Sequence, residues 1–297
     1  MAEISVVIHT KNAEKTLAMA IKSVMFWANE IVVVDMKSED RTIEIAKELG
    51  AKVLLVPDAK YADPARQFAL DKAKGPWILV LDADEEIPKT LALHLQQLAT
   101  NMEVQAYELP RKNMIFGFWA HTGWWPDYII RFFQKGFVIW PAKVHGTPIS
   151  TGITQKVEAK EELAILHHNY ENVEEFITRL NRYTSLEAEQ KSDEKPLIRT
   201  FFHEFIRRYF AEDGAQQGEY GQALSFLQAC YMLIAEIKRM EQKGFSVNNS
   251  AQTFARTELE LENVYKDLCY WIADTHIRSS HSFMDRLYWR IRRKLSV

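Results

Sequence analysis

The first hundred residues alternate between short apolar runs and stretches with helical spacing, which constrains the fold more than any other feature of the chain. The predicted strands are 4–8, 31–34, 53–56 and 77–81, and the predicted helices are 13–26, 42–49 and 64–73. Gly50 directly follows the second helix, as glycine commonly does at a helix C-terminus. Apolar strands that alternate with helices indicate an α/β fold with a mainly parallel sheet flanked by helices.

Polar side chains cluster directly after each predicted strand. The clusters are Thr10 with Asn12, residues 35–40, residues 58–63 and residues 82–86. Ligands of open parallel sheets bind at the carboxyl ends of the strands. We therefore expect these clusters to line one binding cleft.

The fourth strand runs into a turn that holds four carboxylates within five residues, Asp82, Asp84, Glu85 and Glu86. Such crowding of negative charge is unfavourable unless a cation or solvent compensates it. Mg²⁺ and Mn²⁺ take oxygen ligands and are often shared between carboxylates and substrate phosphates, so the turn fits a metal that binds a diphosphate. The alternative is an acidic loop before a helix near Pro88, whose N-terminus favours negative charge.

Composition excludes several classes of protein. Lys and Arg number 37 against 40 Asp and Glu, a net charge of -3, which argues against a general nucleic-acid binder. The two cysteines, Cys230 and Cys269, make neither a disulfide framework nor a zinc site. We find no signal peptide and no apolar run of about 18 residues that would span a membrane. These features predict a cytoplasmic protein.

Several segments occur in a characteristic order: SVVIHTKN at 5–12, IVVVD at 31–35, RQFAL at 66–70 and WILVLDADEE at 77–86. Together they resemble the family 2 glycosyltransferases, which have the nucleotide-sugar-binding GT-A fold. The segments GWWPD at 123–127, RFF at 131–133, ILHHNY at 165–170 and LNRY at 180–183 are similar to a bacterial subgroup. That subgroup includes lipopolysaccharide core β-glucosyltransferases, and the resemblance covers about residues 1–240.

The resemblance implies a GT-A catalytic domain over residues 1–170, with a nucleotide-sugar half over about 1–100 and an acceptor half over about 101–170. Residues 171–297 would form a helical C-terminal region. The implied activity is inverting transfer of a sugar from a nucleotide diphosphate sugar, with a UDP-sugar favoured. The acceptor would be a cell-envelope glycan or a lipid-linked molecule, and Mn²⁺ or Mg²⁺ would assist departure of the diphosphate.

The resemblance also assigns nucleotide contacts. Thr10, Asp35, Arg66 and Asp82 would bind the base, ribose or diphosphate, because carboxylates accept hydrogen bonds from imide N–H and hydroxyl groups and arginine donates several. The alternatives are a solvated turn residue for Asp35 and a helix-surface arginine for Arg66.

Three residues are predicted metal ligands. Asp84 is the expected direct carboxylate ligand, and His145 and His167 could complete the site, since neutral imidazole binds divalent metals. Single histidines are more often structural than metal-binding, so that alternative stays open for both.

A carboxylate within hydrogen-bond reach of the acceptor hydroxyl suffices as the base for an inverting displacement. Asp127 is the predicted base, because it follows an aromatic loop and resembles the family's acidic residue ahead of an arginine, here Arg131. The alternative is that Asp127 pairs with Arg131 to brace its loop. Many relatives carry a glutamate directly after the histidine that corresponds to His145, whereas this chain has Gly146. If that glutamate is their base, the role here falls to another residue.

The acceptor is predicted to contact Trp124, Trp125 and Arg131. Aromatic rings stack on sugar faces and indole N–H groups donate to hydroxyls, although core packing accounts for most aromatic residues of such a run.

Residues 282–297 carry five basic side chains against one acidic one, and Phe283, Leu287, Ile291 and Leu295 recur every four residues. Two interpretations fit a basic amphipathic helix of this kind. It lies on an anionic membrane surface, which would make the protein peripheral on the inner face of the cytoplasmic membrane, or it packs within the protein. The aromatic residues between 201 and 210 allow the same two interpretations.

Two other functions fit parts of this sequence. A nucleotidyltransferase also combines an α/β sheet with metal-binding carboxylates, but usually has a glycine-rich phosphate loop, and residues 9–12 contain no glycine. A non-catalytic sugar-nucleotide-binding or scaffold protein could retain the fold. Asp82, Asp84 and Asp127 argue against it, while Gly146 leaves it open.

Overall fold

The structure is a computed structural model. It describes residues 3–57, 63–141, 147–189, 195–247 and 250–295. The chain divides into two compact units, Met1–Asn172 and Val173–Val297, which are called the first and the second unit below.

The first unit contains the predicted alternation of strands and helices. Its strands are β1 (Ile4–Thr10), β2 (Glu30–Asp35), β3 (Lys52–Leu55), β4 (Trp77–Asp82), β5 (Glu85–Glu86), β6 (Ala106–Ile115), β7 (Phe118–Trp119), β8 (Asp127–Gln134), β9 (Val138–Ile139), β10 (Ile149–Ser150), β11 (Thr154–Lys156) and β12 (Ile165–Tyr170). Its α-helices are α1 (Leu17–Val24), α2 (Thr42–Glu48), α3 (Asp63–Lys72) and α4 (Lys89–Leu98). Helix α1 is shorter than predicted, because residues 13–16 form a turn in which the Thr16 N–H donates to the Ala13 carbonyl at 3.1 Å.

The described residues of the first unit form a ten-stranded mixed sheet in the order β3-β2-β1-β4-β8-β6-β12-β5, with β7 and β11 also paired to β6. Strands β1 to β4 are mutually parallel where they pair. Strand β8 is antiparallel to both of its neighbours, and β12 is parallel to β6. The predicted α/β class with a mainly parallel sheet flanked by helices is confirmed.

Strand β1 shows why the sheet sequences are continuously apolar. All seven of its residues are buried. Val6 and Ile8 join the core beneath α1 and α4, whereas Val7 joins the core beneath α3 on the other face. Because successive side chains of a strand point to opposite faces, a strand covered on both faces needs apolar residues at every position.

The register of the parallel strands aligns the predicted polar clusters. Thr10 at the end of β1 lies opposite Asp35 at the end of β2. On the other side of β1, His9 lies opposite Asp82 at the end of β4. The carboxyl ends of three neighbouring strands therefore meet at one edge of the sheet.

The second unit is helical, as predicted. It contains α5 (Val173–Ala188), α6 (Leu197–Ile206), a π-helical turn (Arg207–Ala211), α7 (Gly218–Lys243), α8 (Ser250–Ser279) and α9 (Phe283–Leu295). Helix α7 packs against α5 and α6, and α8 packs against α6 and α9. Among the described helices, none combines the length and the apolar character needed to cross a bilayer.

Candidate active site

The acidic turn between β4 and β5 is held against β12. Strand β5 pairs antiparallel with β12, which places His167 opposite Glu85 and beside Asp84. Helix α4 begins only at Lys89 and has no acidic residue in its first turn. Because the helix dipole acts mainly within the first turn, it stabilises these carboxylates less than it would at helix positions, and the alternative of an acidic loop before the helix stays open.

Asp82 is bound by two arginines. Its Oδ1 accepts a hydrogen bond from Arg66 Nη2 at 2.7 Å, and its Oδ2 accepts one from Arg131 Nη2. Arg66 is 8% exposed and is therefore not a surface arginine. Burial alone would raise the pKa of Asp82, but Arg131 and Arg66 hold that pKa well below its usual range. Asp82 therefore stays ionised at neutral pH.

Glu85 connects Asp82 to a third arginine, Arg111. Glu85 is fully buried, and its Oε1 accepts from Arg131 Nη2 at 3.2 Å and from Arg111 Nη1 at 3.4 Å. Its Oε2 accepts from the Asp82 backbone N–H at 2.8 Å. Two arginines, each shared between two carboxylates, thus join the end of β4 to strands β6 and β8.

Asp127 is the next carboxylate in this network. Its Oδ2 accepts from Arg111 Nε at 3.0 Å, Arg111 Nη2 at 2.6 Å and Asn113 Nδ2 at 3.1 Å. None of the described residues donates to its Oδ1, and the side chain is 32% exposed. The described residues therefore fix one carboxylate oxygen and make no hydrogen bond to the other.

The alternative that Asp127 pairs with Arg131 is wrong. Both residues lie on β8, where a separation of four residues corresponds to about 13 Å. Arg131 is 1% exposed and its guanidinium is bound to Asp82 and Glu85. The assignment of Arg131 as an acceptor contact stays a prediction, but little of the surface of Arg131 is accessible.

Asn113 links Asp127 to His167. Because the Asn113 amide N–H donates to Asp127, its Oδ1 is the atom that accepts from His167 Nδ1, at 2.6 Å. In a neutral histidine whose Nδ1 carries the proton, Nε2 has the free lone pair that binds metals. The network thus fixes the tautomer of His167.

His167 Nε2 and Asp84 Oδ1 lie 3.7 Å apart. This distance is too long for a hydrogen bond. Two ligands that each lie about 2.1 Å from one cation are separated by about 3 to 4 Å, so the pair fits a shared divalent metal. His145 lies outside the described residues. Within the described ranges no cluster of three or more His, Cys, Asp or Glu side chains could hold a metal, so this pair would be part of a site.

The two predicted nucleotide contacts at the ends of β1 and β2 are also buried. Thr10 is 2% exposed, and its Oγ1 has no hydrogen-bond partner among the described residues. Asp35 is fully buried and accepts from the Ser38 N–H at 2.9 Å and the Ser38 hydroxyl at 2.5 Å. Asp35 is therefore not a solvated turn residue. Its carboxylate instead shapes the loop that follows β2.

The predicted acceptor contacts Trp124 and Trp125 are half-buried and lie just before β8. Trp125 packs edge-to-face against Trp119, with ring centroids 5.5 Å apart. Since Asp127 begins β8, the two tryptophans are close to it along the chain. Their role in acceptor binding stays a prediction.

Three residues of this network were not singled out from the sequence: Glu85, Arg111 and Asn113. Arg111 and Asn113 are alternate residues of β6 and therefore share one face of the strand. Two polar residues at that spacing in a mostly buried strand are the signal that could have identified them. For Glu85 no signal distinguished it from the other carboxylates of the turn.

Removing Arg131 should destabilise the first unit strongly. An Arg131→Met variant leaves the carboxylates of Asp82 and Glu85 without their shared partner, so we expect the free energy of unfolding to fall by about 3–5 kcal/mol. Urea denaturation measures this change. Arg41→Met is the matched control, because the Arg41–Glu44 pair is exposed on both sides and should contribute at most about 1 kcal/mol. Equal changes in the two variants would contradict a structural role for the buried network.

The difference in unfolding free energy between wild type and Arg131→Met should also depend on pH. The pKa of Asp82 is lower in the folded state than in the unfolded state, so its stabilisation is present above the unfolded value and is lost as the pH falls through the folded one. Without Arg131 the pKa of Asp82 rises, so the stability difference between wild type and Arg131→Met should be largest at neutral pH and shrink as the pH falls and Asp82 becomes protonated, first in the variant.

Comparison with known proteins is consistent with this geometry. The model of the family described as Glycosyl transferase family 2 matches residues 5–159, just over half of the chain. A glycosyltransferase of Rickettsia typhi is 28% identical over 270 residues, which are 83% of this chain and 90% of that protein. The lipopolysaccharide core biosynthesis glycosyltransferase LpsC of Rhizobium meliloti is 29% identical over 218 residues, 67% of this chain and 77% of that protein.

Solved structures show a more distant likeness. The glucosyl-3-phosphoglycerate synthase of Mycobacterium tuberculosis, solved with Mn²⁺, UDP and glucosyl-3-phosphoglycerate, is 25% identical with a TM-score of 0.33. The match covers 36% of this chain and spans only 43% of the synthase.

Proposed function

Because this chain belongs to glycosyl transferase family 2, we propose that it transfers a sugar, with inversion, from a nucleotide diphosphate sugar to a cell-envelope glycan or a lipid-linked acceptor. One observation carries the proposal. A continuous set of hydrogen bonds joins Asp127, Asn113 and His167, and His167 faces Asp84 across a gap that suits a cation. The family assignment favours this function over a nucleotidyltransferase or a non-catalytic scaffold.

Asp84 and His167 would hold the divalent metal, Mn²⁺ or Mg²⁺, together with oxygens of the donor diphosphate. Asn113 accepts from His167 Nδ1 and so orients the ring with Nε2 toward Asp84, and the carboxylate of Asp84 supplies the negative charge that a hard cation requires. The metal, when bound, stabilises the charge that develops on the leaving diphosphate. His145 remains a proposed further ligand.

Asp127 would act as the base. Its Oδ1 accepts the proton of the acceptor hydroxyl while the hydroxyl oxygen forms a bond to the anomeric carbon of the donor. The bond from that carbon to the diphosphate oxygen breaks on the opposite face, and its electron pair leaves with the diphosphate. Arg111 and Asn113, which both donate to Oδ2, orient the carboxylate for this task.

Thr10, Asp35, Arg66 and Asp82 would form the nucleotide site. The buried Thr10 hydroxyl, which has no partner among the described residues, is available to donate to the nucleotide. Arg66 already lies at Asp82, where its charge could act on the diphosphate. A UDP-sugar is the favoured donor, by resemblance to the family.

The acceptor would be bound near Trp124 and Trp125, just before the base in the chain. The similarity to LpsC supports an envelope glycan such as a lipopolysaccharide core as the acceptor class. Such acceptors are assembled on lipid, so we propose that the protein works in the cytoplasm at the inner face of the cytoplasmic membrane.

Calorimetric titration of the full chain with UDP, GDP and dTDP, each with and without Mn²⁺, tests the donor site. We expect UDP to bind more tightly than the other two and to require the metal, because diphosphate and protein share the cation. A metal-dependent preference for GDP or dTDP would correct the base but keep the function. Absence of binding by all three nucleotides would contradict the proposal.

A further inference from the structure

Helix α9 in the second unit packs on α8 with the side that carries Trp289 and Arg293. Trp289 stacks on His276, with ring centroids 4.0 Å apart and planes 2° from parallel. Arg293, one turn later, donates to Asp274 Oδ1 at 2.6 Å and lies over the Tyr270 ring at 5.4 Å. These contacts fix which side of α9 faces its neighbour.

The other side of α9 carries large apolar side chains. Five of them, Phe283, Met284, Leu287, Tyr288 and Ile291, fall within an arc of about 140° around the helix axis at 3.6 residues per turn, and the centre of this arc is nearly opposite Trp289. Their exposed fractions are 68% for Phe283, 69% for Met284, 41% for Leu287, 54% for Tyr288 and 52% for Ile291. Five such residues on one face of a single helix form an apolar surface that the described chain leaves uncovered.

Basic residues border this surface. Arg290 and Lys294 lie at one edge of the apolar arc and Arg292 lies at the other, by the same helical geometry. With Arg286, Arg293 and the single acidic residue Asp285, α9 has a net charge of +4, whereas the whole chain has -3. The remainder of the chain therefore carries -7, and α9 is a local concentration of positive charge.

The positive charge of α9 indicates which kind of partner covers its apolar face. In a symmetric dimer the same patch meets itself, so the bordering arginines of two copies would face each other. An anionic lipid surface instead offers acyl chains to the apolar face and phosphates to the bordering basic groups. Charge complementarity therefore favours lipid over a second copy of this chain.

We propose that α9 lies in the plane of an anionic bilayer surface, with its apolar arc inserted among the acyl chains and its basic residues at the phosphate level. This inference rests on the proposed function, in which the acceptor lies at a membrane surface. It adds the element of the chain that contacts the lipid. Lipid binding by α9 requires neither donor nor metal, so it is measured independently of glycosyl transfer.

Cosedimentation of the full chain with vesicles tests the inference. We expect binding to mixed phosphatidylglycerol–phosphatidylcholine vesicles, weakening at high salt because ions screen surface charges, and little binding to phosphatidylcholine alone. The double variant Arg290→Gln/Lys294→Gln should bind about twenty-fivefold more weakly, at about fivefold per basic residue lost. Leu287→Ser/Ile291→Ser should also lose binding, because it removes apolar area.

The control is Lys47→Gln/Lys89→Gln, which changes the net charge equally at exposed positions of the first unit and should bind vesicles like wild type. Equal binding by the control and the α9 variants would overturn the inference. So would absence of binding to anionic vesicles, or a dimer in sedimentation that Leu287→Ser/Ile291→Ser abolishes.

Nucleotide titration of the α9 variants shows whether they are folded and separates the two proposals. If the α9 variants and wild type bind UDP with Mn²⁺ but no form binds vesicles, only the inference about α9 is wrong. If vesicles bind but nucleotides do not, the proposed function is wrong.

Discussion

An Asp84→Ala variant is expected to bind UDP in the presence of Mn²⁺ no more tightly than the wild type binds it without the metal. Asp84 Oδ1 lies 3.7 Å from His167 Nε2, and its removal takes the anionic ligand from the proposed metal site. We expect the affinity to fall more than about a hundredfold, because even partners that only orient metal ligands contribute tenfold to a hundredfold. Calorimetric titration measures the loss.

Glu86→Gln provides the matched control. Glu86 belongs to the same turn, and its Oε2 lies 3.5 Å from His168 Nε2, so the variant removes one negative charge without touching the pair of Asp84 and His167. It should bind UDP and Mn²⁺ like wild type. If both variants lose metal dependence equally, the general charge of the turn is responsible. If Asp84→Ala retains the dependence, Asp84 is not a ligand.

The parallel half of the sheet could be predicted because its signals are local. A strand covered on both faces must be apolar at each position, and the helices between such strands show their period within a few turns. Register then followed from the parallel pairing, so Thr10, Asp35 and Asp82 were expected at one edge, where β1, β2 and β4 do end together.

The arginine network could not be predicted because long-range pairing creates it. Arg111 and Asn113 reach Asp127 only because β6 pairs with β8, and His167 reaches Asn113 only because β12 pairs with β6. None of these strands adjoins its partner directly in the sequence. The spacing of four residues between Asp127 and Arg131 suggested an ion pair, as it would on a helix, but an extended strand separates such residues.

The acidic turn shows a further limit of sequence reasoning. The sequence singled out Asp82 and Asp84 only by family resemblance and gave Glu85 no role, yet Glu85 is fully buried between two arginines while Asp84 faces His167. The short pairing of β5 with β12 makes this difference. A pattern of acidic residues therefore predicted a metal site without revealing which carboxylate has a purely internal role.

Asp127→Asn is expected to lower kcat for sugar transfer by about 10²–10⁴-fold, the usual contribution of a positioned general base, with UDP and Mn²⁺ affinity unchanged. The amide keeps the size of the side chain, and its oxygen can still accept from Arg111 and Asn113. What is lost is a carboxylate Oδ1 that takes the acceptor proton. Steady-state turnover of a UDP-sugar with a lipid-linked acceptor, together with nucleotide titration, separates the two effects.

Glu108→Gln is the matched control, since Glu108 is a partly exposed carboxylate on β6 that pairs with Lys156 at 3.4 Å and lies outside the network. It should leave kcat unchanged. Arg111→Met adds a second comparison, because it disturbs the orientation of Asp127 while keeping the carboxylate. If Asp127 serves only to hold Arg111, both variants will lose the same activity and the same stability. If Asp127 is the base, Asp127→Asn will lose far more turnover than Arg111→Met, because a poorly oriented carboxylate still accepts a proton and an amide does not.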